Sequence, residues 1–118
     1  MPIKRLDWIG DSKQRFSEFP EHTIKELGYA LYLAQVGDKS PAAKPLKGFG
    51  GAGVLEVVDN HDGDTYRAVY TVKFSGIVYV LHAFQKKSKR GVKTPQQEID
   101  LIHVRLRRAQ EDYQDRKQ

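Results

Sequence analysis

The chain has 118 residues and carries 20 Lys and Arg against 15 Asp and Glu, a formal charge of +5, with no cysteine. That length fits one domain over residues 1–118, large enough to bury a core without disulfide or metal staples. The missing thiols exclude cysteine zinc fingers, iron–sulfur sites and thiol nucleophiles. No apolar run reaches the roughly 18 residues a membrane span needs, and Met1-Pro2-Ile3-Lys4-Arg5 is too polar for a signal peptide, which points to the cytoplasm.

In chain order, Ile3–Trp8 alternates loosely, as a short edge strand would. Asp11 or Ser12 can cap a short helix running through Phe19. Pro20 opens a second helix, in which Ile24, Leu27, Leu31 and Ala34 recur at helical spacing and Gly37 is the natural stop. Residues 38–53 read as a loop. Val54–Asp59, Tyr66–Phe74 and Ile77–Gln85 follow as strands joined by tight turns at Asp62-Gly63 and Ser75-Gly76. After a basic loop, Thr94 is placed to cap a last helix, with Pro95 at its first position and Gln97 completing a capping box. Ile99, Ile102, Leu106, Ala109 and Tyr113 mark one face of that helix, and the polar end 111–118 is expected to fray. The fold class is α+β: an N-terminal strand, two helices, a three-stranded antiparallel meander and a C-terminal helix.

Two-residue turns at 62–63 and 75–76 would pair Val58 with Arg67, Glu56 with Val69, Val69 with His82 and Arg67 with Phe84. Paired residues share a side of the sheet. One side then carries Leu55, Val57, Ala68, Tyr70, Val72, Phe74, Ile77, Tyr79, Leu81 and Ala83, all apolar or aromatic, and is expected to pack under the helices. The other carries Glu56, Val58, Arg67, Val69, Thr71, Lys73, Val78, Val80, His82, Phe84 and Lys86, and is expected to stay open. Such a face has the ingredients for RNA: arginine forks phosphate, an aromatic ring stacks on a base, and lysine neutralises the backbone. The competing reading pairs Arg67 with Glu56 and makes His82 an ordinary hydrogen-bonded histidine.

Charge distribution bears on the choice. Lys86, Lys87, Lys89, Arg90 and Lys93 form an acid-free run, and Arg105, Arg107 and Arg108 form a second cluster, while acids collect at Asp59–Asp64 and Glu111–Asp115. This segregation suits a polyanion partner, or else a solvated basic loop. Two other motifs fail. Gly48-Phe49-Gly50-Gly51-Ala52-Gly53 has dinucleotide-fingerprint spacing but leaves a loop and enters a strand, the wrong context for a pyrophosphate on a helix N-terminus. Aligning Asp59–Asp64 to a calcium loop puts Val58 and Val69 at ligand positions. The four histidines show no metal-site spacing, so neither metal nor cofactor is expected.

Three stretches carry a family likeness: Lys44-Pro45-Leu46-Lys47-Gly48, Tyr66-Arg67-Ala68-Val69-Tyr70 and Val80-Leu81-His82-Ala83-Phe84-Gln85-Lys86-Lys87-Ser88. Across roughly residues 3–110 the chain resembles the phage-related HigB branch of the RelE/ParE toxin superfamily. The resemblance implies a RelE-like fold and the toxin of a type II toxin–antitoxin system. It further implies a ribosome-dependent, metal-independent endoribonuclease (an mRNA interferase), neutralised by a cognate antitoxin that often has a helix-turn-helix domain. By position, Arg67 matches the family's strand arginine and Lys86 and Lys87 its terminal basic pair, with His82 and Phe84 in the same motif. The catalytic candidates are Arg67, Lys86 and His82; the RNA-binding candidates are Lys73, Phe84, Lys87, Lys89 and Arg90. Many relatives read Glu-Leu-Arg where this chain has Glu56-Val57-Val58, so the arginine that would face Arg67 is missing. The alternatives are a ParE-like, non-nuclease inhibitor of DNA gyrase and a degenerate toxin that acts only as a binding module.

Overall fold

The computed structural model describes residues 3–51, 53–86 and 94–117. Strand β1 (Arg5–Trp8) leads into helices α1 (Ser12–Ser17) and α2 (Glu21–Gln35), then a two-residue strand β2 (Lys44–Pro45). Strands β3 (Val54–His61), β4 (Asp64–Thr71) and β5 (Ile77–Lys86) precede helix α3 (Gln96–Arg116). The sheet order is β1-β5-β4-β3-β2, with β1 parallel to β5 and the other neighbours antiparallel. The element order matches the α+β expectation, and β2 is added within the expected loop. No described helix is long and apolar enough to cross a membrane.

The turn between β3 and β4 forms as its residues dictate. Asp62 (φ 51°) and Gly63 (φ 83°) both take positive φ, the geometry that makes a two-residue hairpin follow the sheet's twist. Val58 pairs with Arg67 and Glu56 with Val69, and on the far side Val69 meets His82 and Arg67 meets Phe84. Beyond that point the ladder shifts: Tyr70 pairs with Val80, so Leu81 is an extra residue in β5. This bulge reverses the in–out phase of the first half of β5. Val78 and Val80 therefore lie with Val57, Ala68 and Tyr70 under α1 and α2. Ile77, Tyr79 and Leu81, expected on that same side, turn instead toward Ile102 and Ala109 of α3.

The second face is thus not open. Helix α3 lies over it, and Val69, His82 and Phe84 are buried there. The expected helix face holds: Ile102 and Ala109 are fully buried and Ile99, Leu106 and Tyr113 pack beside them. Thr94 does not cap the helix. The N-cap is Pro95, with no side-chain cap, and the Thr94 hydroxyl donates to Glu56 instead (3.0 Å). Helix α3 runs to Arg116, through most of the segment expected to fray. Its last turn is tied down by Arg116 to Asp112 (2.7 Å) and to Asp7 of β1, and by Tyr79 donating to Asp112 (2.6 Å).

Candidate functional site

Two polar constellations sit on the α3 side of the sheet. The first is interior. His82 is 1% exposed and lies between Glu98 and Arg105, both from α3. Arg105, itself 7% exposed, reaches the Leu81 carbonyl (3.0 Å), His82 Nδ1 (3.1 Å) and Asp11, which also accepts from Arg15 (2.7 Å). A guanidinium only donates, so Nδ1 must be the accepting nitrogen and Nε2 carries the hydrogen that Glu98 receives. Burial is the chief force holding the imidazole below its usual titration range; the nearby Glu98 carboxylate pulls upward and Arg105 pushes downward. His82 is accordingly a neutral, hydrogen-bonded core residue. Asp11 is drawn down to about 2, first by its bond from Arg15 and then by that from Arg105.

Gly10 makes room for this network. It has φ +60°, and a Cβ there would meet the Arg105 guanidinium at 2.9 Å. Gly10→Ala is expected to destabilise the fold by about 2 kcal/mol, from left-handed strain plus displacement of Arg105. Urea denaturation measures it, and a variant as stable as the wild type would show that the guanidinium can move aside without loss.

The second constellation lies toward the other end of these strands. Arg67 donates to Glu56 (2.9 Å), and the two side chains are 15% and 14% exposed. Glu56 takes its other bond from Thr94, while Arg67 Nε is buried with no partner among the described residues. Lys86 sits within electrostatic reach of both. Its amine is pushed below the ordinary lysine value, first by partial removal from water and then by the Arg67 charge, with Glu56 pulling the other way. The basic run 87–93 lies outside the described residues, and with it the RNA-binding candidates Lys87, Lys89 and Arg90.

Structure therefore brings Arg67 and Lys86 together and separates the rest. Phe84, expected as a base-stacking platform, is buried and stacks on His82 (centroids 4.8 Å apart). Lys73 is exposed but lies beyond the far end of β4, where it approaches the Phe74 ring. About 13 Å of strand already separates Arg67 from Thr71, so Lys73 cannot share a phosphate with Arg67. Arg105, expected in a basic cluster with Arg107 and Arg108, is instead an interior residue. Its place three residues after Ile102 and four before Ala109 put it on the buried face and was the available signal. Among the described residues no group of acidic, histidine or cysteine side chains is arranged to hold a metal.

A cleft of about 270 Å³ opens beside this region, between Arg15 of α1 with the following Glu18 and Phe19, residues 83–85 of β5, and Glu98 of α3. It exists because β1 pairs with β5 only over Ile77–Val80, while β5 continues to Lys86.

No curated protein matches the sequence. Among solved structures, the fold is similar to an arginine double mutant of the Escherichia coli toxin RelE in the free state, at a TM-score of 0.51 and 17% identity, over 70% of this chain and 82% of that one. The toxin–antitoxin complex RelBE2 from Mycobacterium tuberculosis also matches, at 0.47 and 15% identity, over 75% of this chain and 97% of that one. The model of the phage-derived Gp49-like protein family matches residues 14–107, most of the chain, and so the protein belongs to the Gp49-like family and has the fold of the RelE toxins.

Proposed function

We propose that this protein is the toxin of a type II toxin–antitoxin system, and that it cleaves mRNA on the ribosome by metal-free attack of the 2′-hydroxyl. The observation that supports the reading is the placement of Arg67 and Lys86 at one end of the sheet, with the amine shifted toward its neutral form. In that reaction the 2′-oxygen bonds to phosphorus and the 5′-oxygen leaves, giving a 2′,3′-cyclic phosphate and a 5′-hydroxyl. Neutral Lys86 Nζ takes the 2′-hydroxyl proton, and the departing oxygen is protonated from solvent. Arg67, which stays charged, faces the negative charge that builds on the phosphorane oxygens. His82 has no part in it, being sealed between Glu98 and Arg105. A cytoplasmic location, a cognate antitoxin of helix-turn-helix type and the ribosome as partner belong to the same proposal, as does RNA binding by Lys87, Lys89 and Arg90.

Glu56 gives the site a distinctive feature. It occupies the guanidinium that a phosphate would need, so RNA must share or displace it. Glu56→Gln is therefore expected to tighten single-stranded RNA binding severalfold at fixed salt, read by fluorescence anisotropy. Weaker binding by the variant would instead mean that Glu56 holds Arg67 in the posture RNA requires.

The deciding experiment maps mRNA ends by primer extension after incubation with a programmed ribosome complex, with Arg67→Ala and Lys86→Ala alongside. Cuts in the ribosomal A site that both variants lose are expected. A folded wild type that makes no cuts removes the nuclease reading. The neutralised Arg67 and the buried Phe84 favour, in that event, a module that binds without cutting; inhibition of DNA gyrase would be assayed next.

A further inference from the structure

The cleft beside β5 is chemically unlike the rest of this basic protein. Two carboxylates, Glu18 and Glu98, face it together with Arg15. Glu98 spends one oxygen on His82, whereas Glu18, at the C-terminal cap of α1, is exposed and its carboxylate makes no hydrogen bond among the described residues. Two aromatic side chains also line the cleft. Phe19 is backed by Tyr66 (5.0 Å between centroids) and Phe84 by His82 (4.8 Å), so both rings are held in place before anything binds. The remaining wall is the edge of β5 beyond its pairing with β1, the opposite edge being paired with β4.

Carboxylates do not grip phosphate, but they read bases. A single-stranded base is recognised by stacking on aromatic rings or arginine planes and by hydrogen bonds along its Watson–Crick edge. Guanine alone offers two adjacent donors there, N1–H and the N2 amino group, matching the two oxygens of one carboxylate. Adenine presents an acceptor at N1, uracil one donor between two acceptors, and cytosine an acceptor beside its amino group. A volume near 270 Å³ has room for a purine with water around it.

We infer that this cleft is a guanine-binding subsite, with Glu18 as the reader of the Watson–Crick edge, the exposed Arg15 against the ring, and the edges of the largely buried Phe19 and Phe84 as its floor. The inference deepens the proposed function, on which it rests for the source of the base. Lys86 follows Gln85 directly in β5, so a guanine in the cleft places its own or a neighbouring phosphate near the Arg67–Lys86 end. The site would then set a nucleotide preference close to the scissile bond, while the basic residues grip the chain irrespective of sequence.

The test needs neither ribosome nor cleavage. Full-length protein is titrated with guanosine, inosine, adenosine, cytidine and uridine, following the backbone amide signals of residues 18–19 and 83–85 by NMR. Guanosine should bind roughly tenfold or more tightly than adenosine, in line with one bidentate pair, and inosine, which lacks the N2 amino group, should fall between. Glu18→Gln, an exposed change that leaves the network around Arg105 intact, should bring guanosine and adenosine to within about twofold. The trinucleotides ApGpA and ApApA then separate an RNA base from a free nucleoside: a preference retained in the trinucleotide assigns the cleft to RNA, and one seen with guanosine only overturns that assignment. Equal binding of all five nucleosides, no binding, or shifts confined to other residues would overturn the inference itself. Guanosine binding without mRNA cleavage would defeat the proposed function and leave the cleft standing; cleavage without guanine preference would do the reverse.

Discussion

Arg105→Ala is expected to destabilise the protein by about 3 kcal/mol or more, because it strands several interior groups at once. The Leu81 carbonyl and His82 Nδ1 lose a donor in a region closed to water, and Asp11 loses one of its two cations. Arg105→Lys should recover little, since one ammonium cannot span the three acceptors that the planar fork reaches. Arg107→Ala, two residues along but exposed, should stay within about 0.5 kcal/mol of wild type. The loss should also depend on pH. His82 is depressed in the folded chain, so its stabilising contribution is present above the unfolded value of about 6.5 and fades as pH falls below it. Without Arg105 the imidazole titrates higher, and the gap between variant and wild type narrows in mild acid. Urea denaturation at neutral and mildly acidic pH checks both points. A gap that widens in acid would mean that removing Arg105 lowers the affinity of His82 for its proton instead of raising it.

Lys86→Ala is expected to lower the rate of mRNA cleavage by about 10²–10⁴-fold, the range for losing a general base. Lys86→Arg should not restore it, because guanidinium does not release its proton near neutrality. The pH profile carries the sharper test. At the ordinary lysine value of about 10.4, under about 1% of the amine is neutral at pH 7, and the rate should climb as pH rises through the lowered value. Arg67→Ala removes a repulsive charge, so whatever rate remains should climb at higher pH than in the wild type. Glu56→Gln removes an attractive one and should move the climb to lower pH. Single-turnover cleavage on saturated ribosomes, across pH, reads these shifts. An unmoved profile in both variants would take Lys86 out of the chemistry.

Much of this architecture was legible in the residues. Asp62-Gly63 set the β3–β4 hairpin, and the four pairs it implied with the next turn all occur. The bulge was not legible, because a strand buried on both sides gives no alternation to read. In Ile77–Phe84 only His82 is polar, so inserting Leu81 changes nothing in the pattern. The covered second face followed from the same blindness: Arg67, His82 and Lys86 on one side suggested an open surface, while the apolar stripe of α3 was assigned to the side that α1 and α2 already fill. The pairing of Arg67 with Glu56 was legible as an alternative, and it is the arrangement found. The interior role of Arg105 was hidden by its neighbours Arg107 and Arg108, which are exposed.

The pairing of β1 with β5 has a consequence for how the molecule is made. Arg5–Trp8 is made well before its strand partner among the described residues, Ile77–Val80, and Ser12 and Asp11 wait likewise for Val80 and Arg105. The antiparallel hairpins can form locally, whereas this closure joins segments some seventy residues apart and must wait for the loop between them to be ordered. A nascent chain that has produced β3 and β4 still lacks both Lys86 and the helix that seals the second face. Assembly of the Arg67–Lys86 end thus waits for β5 and α3 to be made, and cannot precede them.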